Sequence, residues 1–230
     1  MFFIDMDYII MVFLPGLILG GIATWITKTT FHKYSKIAAA SGVTGAEAAR
    51  KMLNQQELYD VNIEMTQGFL NDHYDPRTKT LRLSPKVYES NSLAAIGVAC
   101  HEAGHALQHA QQYAPLALRS ALVPATQFGS NAAYVFLLLG MIMNFQGLMI
   151  VGCILFAVAV VFSIVTLPVE WDASVQAKKC MVHAGIVNER EQMYAGKVLN
   201  AAFLTYVAAA VTAILTLLYY LMRSGLLRRD

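Results

Sequence analysis

Charge is scarce in this sequence. Only 14% of its 230 residues are charged while 57% are hydrophobic, whereas an ordinary soluble domain is about a quarter charged. A water-surrounded globule is excluded on composition, and residence in a membrane is the economical reading. The formal net charge is only +2, and no basic run interleaved with aromatics occurs, so a nucleic-acid partner is set aside. Cysteine is equally sparse. Cys100, Cys153 and Cys180 are three in number with no CxxC pair, which indicates neither a disulfide framework nor a cysteine zinc site. No internal repeat and no clean linker divide the chain.

What is present is a set of long apolar runs. Met1 to Thr27 is apolar apart from Asp5 and Asp7 and long enough to cross a hydrocarbon core of about 30 Å. It has neither the positive amino-terminal region nor the small-residue cleavage site of a secretory signal, so an uncleaved first transmembrane helix is expected. Three further blocks, 121–143, 149–169 and 201–222, are each long enough to span. Asn144-Phe145-Gln146-Gly147 joins two of them without a lysine or arginine, as an external hairpin should. Lys28, Lys33 and Lys36 follow the first run, and Lys178, Lys179, Arg190 and Lys197 lie between the last two. By the positive-inside rule these segments are cytoplasmic and the amino terminus is outside. Arg223, Arg228 and Arg229 oppose this orientation, since four spans would carry them outside.

Between about Ser35 and Gln112 the composition becomes that of a small soluble lobe. Thr44-Gly45-Ala46-Glu47 has the capping-box pattern for a helix from Gly45 to about Leu53. Residues 61–65 and 80–84 alternate as strands do, and Asp72-His73-Tyr74-Asp75-Pro76-Arg77 has turn chemistry, so a hairpin or small sheet is expected. Ser84-Pro85 starts a further helical turn, and Ser92 is placed to cap a long helix. The Thr80 to Ser84 strand is read two ways, as an exposed edge that holds an extended substrate or as a strand that only covers the core.

That long helix carries His101-Glu102-Ala103-Gly104-His105. Residues four apart share a helix face, so His101 and His105 can aim at one ion, with Glu102 beside it rather than on it. Zinc and peptide hydrolysis are the default metal and reaction, with Glu102 handling the proton of an attacking water. On an otherwise Ala-, Gly- and Leu-rich helix such a carboxylate is costly unless paired or metal-linked. A catalytic zinc needs a third protein ligand. His109 stands about 12 Å along the axis from His101 and cannot share an ion with it. Glu170, in Leu167-Pro168-Val169-Glu170-Trp171-Asp172, is the candidate, with Asp172 as an outer acceptor from a ligand histidine; the alternative is a water-facing acid pair with Trp171 as a headgroup anchor. Tyr206, His73, His183 and Arg190 are possible oxyanion donors, though an ordinary structural role suits each better.

The ordered blocks His101 to His109, Asp72 to Pro76, Glu170 to Ser174 and Val198 to Ala208 resemble the YugP-like family of bacterial membrane zinc metallopeptidases, compact relatives of the HtpX-like membrane peptidases. The likeness runs over nearly the whole chain. It implies one zinc per chain at His101, His105 and Glu170, with Glu102 catalytic. In better-known relatives an aspartate stands four residues after the ligand glutamate; here Ser174 holds that place and the aspartate is Asp172.

The fold expected is therefore a mainly α integral membrane protein of about four transmembrane helices with a small α+β zincin-like catalytic lobe around the HExxH helix. One metallopeptidase unit over 1–230 comprises a first span (1–27), the catalytic lobe (35–112), a transmembrane hairpin (121–169), a third-ligand segment with a cytoplasmic helix (170–200) and a last span (201–222). The expected function is a zinc-dependent endopeptidase of the bacterial plasma membrane, acting on peptides or membrane proteins from the cytoplasmic side. The competing reading is a zinc-stabilised, non-catalytic membrane scaffold or partner-binding protein.

Overall fold

The computed structural model describes residues 5–68 and 71–226. Residues 1–4 of the expected first span, and Arg228 and Arg229, lie outside the described residues. In chain order the elements are α1 (Met6–Tyr8), a π-helical turn (Ile9–Phe13), α2 (Leu14–Tyr34), α3 (Gly45–Gln55), β1 (Asn62–Met65), β2 (His73–Asp75), β3 (Thr80–Leu83), α4 (Pro85–Tyr88), α5 (Leu93–Ala110), α6 (Ala114–Ile142), α7 (Gln146–His183) and α8 (Glu189–Arg223). Four helical stretches are long and apolar enough to cross a membrane: Met6–Tyr34, Ala114–Ile142, Gln146–His183 and Glu189–Arg223. Pro124 and Pro168 both lie inside helices, a position tolerated in membrane helices because neighbouring groups satisfy the freed backbone.

The last two of these stretches exceed what a span requires. α7 has 38 residues and is about 57 Å long, nearly twice the hydrocarbon thickness. The apolar run 149–169 and the acidic segment that follows it are one uninterrupted helix, so Glu170 rides on the continuation of a span.

The chain forms two compact units. One comprises residues 24–116 and 168–204, the other residues 1–23, 117–167 and 205–230. In the first, Met52 and Leu53 of α3, Leu81 and Leu83 of β3, Ile96, Ala99, Ala103 and Leu107 of α5, and Ala177 and Met181 of α7 share one buried core. α3 starts where the capping box predicts, with Thr44 Oγ1 accepting from the Glu47 amide and the Glu47 carboxylate accepting from the Thr44 amide. The Ser92 hydroxyl caps α5 by accepting from the Ala95 amide. Ser84 does not cap α4 with its side chain; its hydroxyl and amide both donate to the Asp72 carboxylate, fastening the turn before β2.

The small sheet decides between the two readings of the Thr80 to Ser84 strand, in favour of one that covers the core. Its order is β1-β3-β2, with β3 parallel to β1 and antiparallel to β2. β3 is thus the central strand, paired on both sides, and Leu81 and Leu83 are fully buried. It cannot accept another strand. The edges are β1 and β2.

The second unit packs around Ala133, Phe156 and Val160. Small residues permit close helix approach there: a Cβ on Gly152 would stand 2.6 Å from Leu137 Cγ. In the same unit the Asp5 carboxylate accepts from the Tyr219 hydroxyl and pairs with Arg223 at 3.4 Å.

Candidate metal centre

α5 and α7 lie backbone to backbone at one point. A Cβ on Gly104 would stand 2.7 Å from the carbonyl oxygen of Ala173. Only glycine admits that approach, and it falls between His101 and His105 on α5 and three residues past Glu170 on α7. Gly104→Ala should therefore force the helices apart. The obstacle is a main-chain oxygen that cannot rotate away, so a net loss of about 1–3 kcal/mol is expected despite alanine's better helix propensity. Thermal unfolding in detergent micelles measures it, and an unchanged melting temperature would show that α7 yields freely.

Across this contact three side chains converge. His101 Nε2 lies 3.2 Å and His105 Nε2 3.8 Å from Glu170 Oε2. One donor atom from each of His101, His105 and Glu170 lies within 4.8 Å of the others. Ligands about 2.0–2.1 Å from a tetrahedral zinc are separated by about 3.3 Å, so the set needs little adjustment to hold an ion. The Glu170 side chain is 2% exposed, against 14% and 10% for the histidines; a carboxylate so deep requires cationic, hydrogen-bonding or metal partners. Glu102 is also buried on α5. Burial opposes protonation of His105, but the Glu170 hydrogen bond and the charges of Glu102 and Glu170 outweigh it and raise its pKa.

The other ring nitrogen of each histidine is held as well. His105 Nδ1 lies 3.0 Å from Gln108 Oε1. The Gln108 amide nitrogen donates to the Val169 carbonyl and to Asp172 Oδ2, both at 2.8 Å. With both amide protons spent on acceptors, the Gln108 oxygen faces the ring and accepts from Nδ1–H. With Nδ1 so engaged, Nε2 is the nitrogen that faces Glu170, as N–H toward the carboxylate or as a lone pair toward a metal that would lie between them. His101 Nδ1 lies 3.1 Å from Ser174 Oγ.

Asp172 consequently sits one step further out than the sequence reading placed it. Its carboxylate accepts from Gln108 and, at 2.6 Å, from Gln176 rather than from a histidine. Gln108 fills the intervening position, and it is fully buried. The sequence reading missed it; its helical spacing of three from His105 is the signal that could have found it. Ser174, four residues past Glu170 on α7, is the residue that reaches His101.

The remaining candidates have local partners. His109 Nδ1 lies 2.9 Å from the Tyr74 hydroxyl. Burial, helped by the Asp60 and Asp75 carboxylates, pushes Tyr74 up to about 12, so this phenol stays neutral. His73 and His183 hydrogen-bond the carbonyls of Asn71 and Lys179, and Arg190 donates to the Tyr194 hydroxyl. Cys100 is buried in the core and its thiol is pushed up to about 12 by that burial.

Two helix-borne imidazoles facing a buried carboxylate form a donor set that could hold a divalent metal such as zinc. The chain belongs to the family described as "Putative neutral zinc metallopeptidase", whose profile matches residues 8–225. It is similar to "Putative membrane protease YugP" of Bacillus subtilis (strain 168), with 46% identity over 205 residues, 88% of this chain and 91% of that relative. No solved structure matches. Zinc is the metal the family implies, and the relative's description agrees with the four apolar helical stretches.

Proposed function

We propose that the protein is a zinc-dependent membrane endopeptidase that binds one zinc per chain through His101, His105 and Glu170 and uses Glu102 as general base. The observation that carries this reading is the meeting of His101 and Glu170 at 3.2 Å across 69 positions of sequence. Zinc bound there supplies a Lewis acid that polarises the scissile carbonyl and acidifies the attacking water. Glu102, next to His101 in sequence and off the ligand set, takes the water's proton and returns it to the departing amine. Gln108 and Ser174 hold the two imidazoles in register, and the chain Gln108 to Asp172 to Gln176 ties that register to α7.

An extended substrate is assigned to β2, which pairs on one side only. Its Tyr74 reaches His109, one turn past His105, which puts this edge against the carboxyl-terminal turns of α5. The α+β part is then a zincin-like lobe within a single membrane metallopeptidase unit, and the basic segments flanking the spans assign it to the cytoplasmic side of a bacterial plasma membrane. Peptides and membrane proteins are the substrate class. The experiment is metal analysis of full-length protein in detergent, paired with hydrolysis of an internally quenched peptide before and after chelation. Stoichiometric zinc and chelator-sensitive cleavage are expected, and a metal-free active protein would remove the proposal.

Gln108 provides a graded test of the same reading. Gln108→Ala releases His105 Nδ1 and strands the Asp172 carboxylate beside Gln176, so zinc affinity should fall by about 10- to 100-fold. Competition with a chelating dye measures this directly. Undiminished affinity would show that His105 needs no such support.

A further inference from the structure

A second site lies away from the metal centre, at the level where two apolar helices become polar. On α2 the apolar run ends at Lys28, and on α8 the apolar run begins at about Ala201. The Thr27 hydroxyl donates to the Ala201 carbonyl at 2.8 Å, so both changes occur at one height. Trp171, 51% exposed, packs edge-on against Phe203 with centroids 5.3 Å apart. An exposed indole at this height is the usual mark of the headgroup region.

An open cavity of about 840 Å³ lies here between α2, α4, the start of α5 and α8. Its lining is chemically mixed. Phe31, Val98, Val198 and Ala202 contribute apolar surface, while Lys28 and Lys86 supply cations, His32 an imidazole, and Ser35 and Ser90 hydroxyls. Glu89 is the one acid among the lining residues. Lys28, His32, Lys33 and Lys36 line a shallower depression alongside. No acidic residue occurs between Asp7 and Glu47, so the charged side chains that α2 itself contributes here are all basic.

Apolar side chains beside cations and hydroxyls, at the level where two apolar helices become polar, suit an amphiphile with an anionic head. We propose that this cavity binds the phosphodiester headgroup of an anionic phospholipid, with Lys28, His32 and Lys86 around the phosphate and Phe31 and Val198 against the glycerol and first methylenes. Cations near a membrane surface favour anionic lipid, and their convergence on one cavity makes that preference local and saturable. The site is independent of the metal chemistry proposed above.

The test uses the full chain in detergent, observed by native mass spectrometry with phosphatidylglycerol and phosphatidylcholine added at equal concentration. One phosphatidylglycerol should be retained about tenfold more than phosphatidylcholine. The preference should disappear in a Lys28→Gln, His32→Gln, Lys86→Gln variant that keeps the wild-type melting temperature. Equal retention of the two lipids, or a preference untouched by the triple variant, overturns the proposal. Displacement of the lipid by equimolar inorganic phosphate would assign the cavity to a free anion. Displacement by a peptide with a free carboxyl terminus but not by its amide would assign it to substrate. Either outcome also overturns the proposal.

Discussion

Glu102→Gln should leave the zinc content unchanged and lower peptide hydrolysis by about 10³-fold or more. The substitution keeps the shape of the side chain and removes its ability to take a proton. General acid–base catalysis commonly supplies on the order of 10²–10⁴-fold, and here one group serves both proton transfers. Zinc should stay because His101, His105 and Glu170 form the donor cluster and Glu102 is outside it. Hydrolysis and bound metal, assayed on the same preparation, give the answer. The competing scaffold reading predicts that Glu102→Gln keeps whatever phenotype loss of the protein reveals, whereas His105→Ala abolishes it. Unchanged cleavage by Glu102→Gln would remove Glu102 as the base.

The second large effect is expected at Glu170. Glu170→Ala should abolish stoichiometric zinc binding, because two imidazoles alone leave the ion without its buried charge partner. The accompanying change in stability has a definite pattern. Ligand binding to the folded state alone contributes about 2.7 kcal/mol at a hundred times the dissociation constant, so zinc should raise the melting temperature of the wild type and not of the variant. In chelator the two should melt close together. The variant loses contacts to His101 and His105 at 3.2 and 3.8 Å, but it also escapes the cost of burying a carboxylate. A variant that still took up one zinc, or that unfolded with or without metal, would show that Glu170 serves the fold rather than the ion.

The parts of this arrangement that were legible in the sequence are those governed by local chemistry. The helix around His101 and His105, the capping box at Thr44, the Ser92 cap and the apolar stretches all follow from spacing, side-chain hydrogen bonding or run length. Glu170 was legible because an acid beside a span calls for a partner. The strand order was not. Thr80 to Leu83 alternates as any strand does, and only a parallel pairing with Asn62 to Met65 places it in the middle of the sheet. Nor was the role of Gln108, since its three acceptor and donor partners come from two helices separated by 61 to 64 positions. Asp172 was assigned one contact too close to the ion for the same reason. Its distance from His105 depends on how α5 rests on α7, and that is fixed by the absent side chain of Gly104 and the Ala173 carbonyl.

The position of Glu170 on the continuation of a helix long and apolar enough to cross a membrane limits how the donor set can be separated from the lipid. The two histidines precede the α6–α7 hairpin and the glutamate follows its second arm, so any fragment that contains the full donor set also contains both crossings. No single cut can shed a working soluble form into the surrounding medium.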